Sequence, residues 1–257
     1  MPIVVNAPRR LRLDQALVAR GLAPSRERAQ AWILAGLVRI DGQVARKASD
    51  PVGESATVSV DQPEHPWVGR GGIKLAHALD AFSIACTDRL GLDIGASTGG
   101  FTDVMLTRGA RHVVALDVGH NQIDWKLRQD ARVTVMEGVN ARYLAAGRLP
   151  ESCRRVDLVS IDVSFISLRH ILPVVPPLLA PDGDVVALVK PQFEAGRADV
   201  GRGGIVSDPA VHARVVDEVI ALARALRLRC VHQCASPITG GDGNVEFLVH
   251  LVHEDRP

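Results

Sequence analysis

The chain has 257 residues, 47% of them hydrophobic, and a formal net charge of +1. That is enough apolar material for one or two cored domains. No apolar run can span a bilayer, since the strongest, Ile171 to Ala180, is interrupted by Pro173, Pro176 and Pro177. A charged-then-apolar leader is absent from the front of the sequence, so a cytoplasmic protein is expected, and no membrane partner. The four cysteines (Cys86, Cys153, Cys230, Cys234) include no Cys-x-x-Cys pair and are expected as free thiols. Cys230, His232 and Cys234 are expected to alternate on one face of a strand. That spacing does not suit a single zinc ion, and no metal is expected.

The near-neutral total hides an asymmetry. Residues 1–60 carry nine Lys/Arg against five Asp/Glu, and the remainder 21 against 24. A basic front end on a slightly acidic body suggests an accessory element for a polyanion. Within it, Leu13 to Gly21 reads as a short amphipathic helix, with Leu13, Ala16 and Leu17 on one face and Gly21 as its stop. Pro24-Ser25 opens a second helix with Ser25 as N-cap, Ala29, Trp32 and Ile33 as apolar face, and Gly36 as its end. Leu37–Ile40 reads as a strand, and Asp41-Gly42 as a hairpin turn into Gln43-Val44. Arg10, Arg12, Arg26, Arg28, Arg39 and Arg46 remain for the surface, either as a solvated face or as contacts to nucleic acid. The order of Arg-Leu-Asp, Gly-Leu-Ala-Pro-Ser-Arg-Glu-Arg-Ala and Ala-Gly-Leu-Val-Arg-Ile-Asp-Gly resembles the S4 RNA-binding domain over residues 10 to 55. The resemblance implies binding of structured RNA through shape and phosphate contacts. The expected division is an S4 domain over 1–60, a linker over 61–70 and a larger domain over 71–257.

The larger domain opens with a helix, Ile73 to Phe82. Strands follow at Leu90–Ile94, His112–Leu116, Val133–Met136, Val156–Ile161 and Val185–Val189, with helices between them and a longer helix over Pro209–Leu226. This alternation predicts parallel strands covered on both faces. Leu228–Cys234 and Val245–Val252 are separated by a short loop and should pair antiparallel. The expected class is therefore α/β, a Rossmann-like sheet of five parallel strands with an antiparallel closing pair, behind a small α+β module.

The first strand runs into Leu92-Asp93-Ile94-Gly95-Ala96-Ser97-Thr98-Gly99-Gly100-Phe101. Ser97 stands where a dinucleotide fingerprint needs its second glycine, and no Gly-Lys-Ser/Thr closes a P-loop. What is left has the form of an S-adenosylmethionine (SAM) site, in which glycines let a ligand approach bare backbone. Ligands in such sheets bind beyond the carboxyl ends of the parallel strands. Asp117 ends the second strand, where it can accept from ribose hydroxyls. Glu137 and Asn140 follow the third and could border an adenine. Asp162 follows the fourth, Lys190 the fifth, and Glu246 returns to the same rim on the reversed final strand.

Only four of the 30 basic residues are lysine: Lys47, Lys74, Lys126 and Lys190. Where arginine serves nearly everywhere else, a lysine suggests an amine that can give up its proton. Gly-Ala-Ser-Thr-Gly-Gly-Phe, Asp-Val-Ser-Phe-Ile-Ser-Leu (162–168), Leu-Val-Lys-Pro-Gln-Phe-Glu (188–194) and Gly-Asn-Val-Glu-Phe (243–247) resemble the TlyA family. These are ribosomal RNA 2′-O-methyltransferases with an FtsJ-type catalytic domain, also called the haemolysin A family. The resemblance implies a catalytic set of Lys74, Asp162, Lys190 and Glu246. It also implies SAM bound by Asp93, Gly95, Ala96, Ser97, Thr98, Gly99, Gly100, Phe101, Asp117, Glu137, Asn140 and Asp162. Ribosomal RNA or assembled ribosomal subunits would be the partner, cytidine the target, and the protein a monomer. Lys190, as base or as stabiliser of the developing alkoxide, would act beside Lys74, with Asp162 and Glu246 orienting the amines. Gly69-Arg70-Gly71-Gly72-Ile73 recurs as Gly201-Arg202-Gly203-Gly204-Ile205. The two copies are either basic loops clamping phosphates through Arg70 and Arg202, or two unrelated glycine-rich turns. The other classes left open are an RNA assembly factor with a vestigial SAM pocket and, from the family's older name, a membrane-acting haemolysin.

Overall fold

A computed structural model describes residues 10–23, 25–34, 36–61 and 65–256. Pro24, part of the expected linker (62–64) and the side chain of Arg28 lie outside the described residues. The chain forms two compact units, 1–66 and 67–257.

The first unit contains β1 (Leu11–Arg12), α1 (Leu13–Ala19), α2 (Arg26–Leu34), β2 (Val38–Ile40), β3 (Gln43–Val44), β4 (Pro51–Val52) and β5 (Val58–Val60). Strand β2 lies between β3 and β5, and β1 pairs with β4, all antiparallel. The Asp41-Gly42 turn has φ of 48° and 82°, the left-handed pair that a tight hairpin requires. Leu13, Leu17, Ala29, Ile33 and Val38 make the core. Strands β1, β4 and β5, two or three residues each, are too short to show an alternation and were not expected.

The expected basic face is partly spent inside the unit. Asp14 is fully buried, and its carboxylate accepts from Arg12 (3.1 Å), Arg26 (3.0 Å) and Gln30 (2.9 Å). Burial pushes this carboxyl up, but those donors outweigh it and hold it well below the usual range. Arg39 pairs with Asp61 at 2.9 Å. Arg12, Arg26 and Arg39 therefore tie the fold together. Arg10 and Arg46 are exposed and hold no carboxylate among the described residues.

The second unit runs α3 (Gly71–Ala81), β6 (Leu90–Ile94), α4 (Gly100–Thr107), β7 (His112–Leu116), α5 (Trp125–Arg128), β8 (Val133–Met136), β9 (Val156–Ile161), β10 (Leu179–Val189), α6 (Pro191–Glu194), α7 (Pro209–Ala225), β11 (Leu228–Ala235) and β12 (Phe247–His253). The sheet order is β11-β12-β10-β9-β6-β7-β8, with β8, β7, β6, β9 and β10 parallel and β12 antiparallel to both its neighbours. Strand order reverses between β6 and β9, the point at which such sheets open a ligand crevice. One face buries Leu92, Ile94, Val159, Ile161 and Val185 against α7 and neighbouring turns. The other buries Val113, Ala115, Leu158 and Val186 against α3 and α4.

Three expectations fail here. Full helices do not separate every strand pair: between β8 and β9, and between β9 and β10, the chain makes only three-residue 3-10 turns. Pro173, Pro176 and Pro177 deny the later turns their backbone donors. The register of β11 slips between Cys230 and His232, so Cys230 packs on one face of the sheet and Cys234 on the other. A one-residue bulge inverts every later side chain. Finally, residues 67–70 belong to the second unit, with Val68 N–H donating to buried Asp103 at 2.9 Å.

Candidate active site

Two contiguous hollows open at the carboxyl ends of β6, β7 and β9. The larger, about 440 Å³, is lined by Gly95, Ser97, Asp117, Asn140, Asp162 and Phe165 among others. The smaller, about 180 Å³, shares Gly95, Ser97, Asp162 and Ser164 with it and adds Ala96, Thr98, Gly100, Phe101 and Lys190.

The turn after β6 shapes this wall, and its glycines also make room for protein. A Cβ on Gly95, at φ 86°, would collide with the Asp162 carbonyl oxygen of the neighbouring strand end. One on Gly100 would stand 2.9 Å from the Gly72 nitrogen, where α4 and α3 meet. These glycines admit protein backbone, and the Gly69–Gly72 stretch serves the same helix contact. The first Gly-Arg-Gly-Gly copy is accordingly a helix start, while the second is a loop with φ of 74° and 78° at Gly203 and Gly204. The two copies therefore differ in conformation. Arg70 and Arg202 are nevertheless both exposed.

Two lysine ion pairs are largely buried. Lys190, the residue that follows β10, places its Nζ 2.6 Å from Asp162 Oδ1 and donates to Ser164 Oγ at 2.9 Å. Lys74 on α3 donates to Glu246 Oε2 at 2.5 Å, with the side chains 10% and 2% exposed. The turn before β12 holds Glu246: Ser236 N–H donates to its carbonyl, and Gly240 lies so close that a Cβ would be 2.7 Å from Oε1. Lys190 and Asp162 line the hollows; Lys74 and Glu246 do not.

Asp117 accepts Ser97 N–H at 2.8 Å and Gly119 N–H at 2.7 Å, one on each oxygen, while its carboxylate edges the larger hollow. Each oxygen keeps a lone pair for a ligand hydroxyl. Two expected cofactor residues are elsewhere. Asp93 is fully buried and accepts from Thr102 N–H (3.0 Å), Thr102 Oγ1 (2.7 Å) and Ser160 Oγ (2.9 Å). Burial raises its carboxyl to about 6, and those hydrogen bonds lower it only in part. It ties β6 to α4 and β9 and meets no cavity, because alternation along β6 turns it away from the rim. Glu137 accepts from the backbone N–H groups of Gln122 and Ile123 and pairs with Arg128 at 2.8 Å, so it organises the loop after β7. The side chain of Arg128 draws its carboxyl down to about 2.

A model of the FtsJ-like methyltransferases matches residues 67–253, and one of the S4 domain matches residues 11–58. The 16S/23S rRNA (cytidine-2'-O)-methyltransferase TlyA of Mycobacterium tuberculosis is 50% identical over 245 residues, covering 95% of this chain and 90% of that one. The chain belongs to the TlyA family of FtsJ-like methyltransferases. Hemolysin A of Brachyspira hyodysenteriae is 39% identical over 242 residues, 94% of this chain and 100% of that one. A solved structure from Streptococcus thermophilus, 44% identical, covers 98% of this chain and 91% of that one with a TM-score of 0.75. Among the described residues, no helix is long and apolar enough to cross a membrane.

Two features of this TlyA-family site escaped sequence reasoning. Asn244, 1% exposed, accepts from Val206 N–H and donates to Gly204 O, both at 2.9 Å, and so pins the Arg202 loop beside the Glu246 turn. Its signal was the Gly-Asn-Val-Glu motif, read only for its acid. Phe165 is 91% exposed at φ 62° and lies 5.2 Å from Phe193, on the lip of the larger hollow. An exposed aromatic held in a strained conformation marks a functional position, and sequence alone gave no sign of that conformation.

Proposed function

We propose that this TlyA-family protein transfers a methyl group from SAM to a ribose 2′-hydroxyl of ribosomal RNA, on cytidine. The observation that carries the reading is the Lys190–Asp162 pair set in the wall of a cleft whose opposite side offers Asp117. The larger hollow fits a nucleoside: Asp117 can accept from two ribose hydroxyls, and Asn140 and Val139 border the base. SAM supplies a sulfonium methyl that is already activated. The protein's remaining tasks are to align a poor nucleophile and to manage its proton. Lys190 Nζ, held by Asp162 and Ser164, is the group that meets the 2′-oxygen as negative charge develops. The Lys74–Glu246 pair fixes α3 against the turn before β12. Phe165, on the lip, offers a stacking surface to an extruded base. Arg70 and Arg202 contribute cations for the adjacent phosphates, and the S4 unit contributes Arg10 and Arg46.

The test is transfer of labelled methyl from SAM to purified ribosomal subunits lacking the modification, followed by mapping of 2′-O-methyl positions. Methyl groups confined to ribose, and lost in Lys190→Ala, are expected. Transfer to a base or to protein, or full turnover by Lys190→Ala, overturns the reading.

A further inference from the structure

Several arginines of the second unit are spent on carboxylates: Arg89, Arg108, Arg128, Arg132, Arg214 and Arg227 each hold one. Arg142 is exposed and has no carboxylate partner among the described residues. Its guanidinium instead lies 6.0 Å from the ring of Tyr143 and 3.4 Å from His170 Nδ1. Tyr143 is the one tyrosine in the sequence, and it stands 69% exposed with no hydrogen bond to its hydroxyl among the described residues.

The position of this pair is fixed by the cleft. Asn140 lines the larger hollow, and its side chain also accepts Arg142 N–H at 3.1 Å, capping the 3-10 turn Ala141–Tyr143. Ala141, buried at the start of that turn, lines the hollow as well. The ring and guanidinium are therefore carried one residue beyond the cofactor wall, on the solvent side. A solvated aromatic face beside an unpaired arginine, with an imidazole alongside, suits an unpaired nucleotide: the base stacks and the phosphate meets the cation.

We infer that Tyr143 and Arg142 form a ledge that stacks an unpaired RNA nucleotide flanking the methylated one. The inference rests on the RNA-methylating reading above and names the substrate's path beside the site. Neither residue touches the reacting atoms, so their loss changes substrate binding and leaves chemistry intact.

The experiment measures binding of ribosomal subunits, without SAM, alongside methyl transfer at saturating subunits. Tyr143→Ala is expected to weaken binding and raise KM about tenfold, the scale of one lost base stack, with kcat and SAM affinity unchanged. Tyr143→Phe keeps the ring and should behave as the native protein. Arg142→Ala should reduce the slope of log affinity against log salt by about one. A photoreactive side chain placed at position 143 should crosslink to RNA within a few nucleotides of the modified ribose. Unchanged binding in Tyr143→Ala, an equal loss in Tyr143→Phe, or crosslinks to a ribosomal protein would overturn the ledge. Native protein that binds subunits but methylates none of them would instead refute the proposed activity, with the binding arms still deciding the ledge.

Discussion

Replacing Glu246 by Gln keeps the side chain's shape and removes the carboxylate charge 2.5 Å from the Lys74 ammonium. Both groups are nearly out of water, at 10% and 2% exposure, so solvent screening contributes little. An ammonium left buried and unpaired costs roughly 3–5 kcal/mol. For a unit of this size each kcal/mol lowers the melting temperature by about 2–4 °C. Calorimetry should therefore show the transition of the methyltransferase unit falling by roughly 6–20 °C in Glu246→Gln. The pair itself need not be worth that much, because its desolvation offsets its attraction. The double variant Lys74→Met/Glu246→Met, which removes both charges at similar volume, should return to within about 2 kcal/mol of the native protein. Methyl transfer should fail in both. Equal destabilisation of the single and double variants would show that packing around the turn, and not an uncompensated charge, sets the cost.

Asp93 gives a pH dependence with a definite sign. Its carboxyl is raised from 3.8 to about 6 in the folded state, so the stability it contributes is full below pH 4 and is lost as pH rises through 6. Asp93→Asn removes this dependence, and its stability deficit relative to the native protein should shrink by about 1.4 kcal/mol between pH 5 and 7.5; a constant deficit in urea melts at the two pH values would contradict the burial argument. Asp117→Ala removes an acceptor facing the larger hollow, and SAM affinity by titration calorimetry should drop about 10–100-fold, the worth of charged hydrogen bonds. Affinity within twofold of native would exclude Asp117 as the ribose acceptor.

How far the sequence can be read depends on which physical signal each residue carries. The runs at β6, β7, β8 and β9 are apolar, short and bounded by turn residues, and the structure places all four at the expected residues. Asp117, Asp162 and Lys190 were legible because a polar residue ending such a run must emerge at the rim. The partnership of Lys74 with Glu246 spans 172 residues; family resemblance put both in one set without pairing them, since no local pattern links α3 to β12. Asp93 and Glu137 misled because position near a strand end says nothing about which way a side chain turns. Arg12 and Arg26 lie on the surface as read, but their pairing with buried Asp14 was not legible, because no local pattern announces a buried carboxylate as the partner. The glycines after β6 pointed to the right place, but Gly95 and Gly100 also admit protein backbone, and a close approach by protein and one by ligand leave the same residue in the sequence.

The two lysines divide the labour. Lys190 lines the smaller hollow between Asp162 and Ser164, whereas Lys74 is committed to Glu246 and lines neither hollow. In the proposed reaction Lys190 is then the lysine that meets an incoming hydroxyl, either as a fixed positive charge or as the proton's destination. Arginine separates these roles, because it supplies charge but does not give up its own proton to become a base. If charge were enough, Lys190→Arg would keep activity within about tenfold; a proton-accepting amine predicts a loss of about 10²–10⁴-fold in single-turnover rate. The bulkier guanidinium could also misplace substrate, so Lys190→Ala rescued by small primary amines supplies an independent arm. The rescued rate should rise with the basicity of the added amine, since a stronger base takes the 2′-proton more readily. Rescue that is equal for amines and for guanidinium would mean that the cleft needs only a cation at this position, and the proton would have to leave by another route.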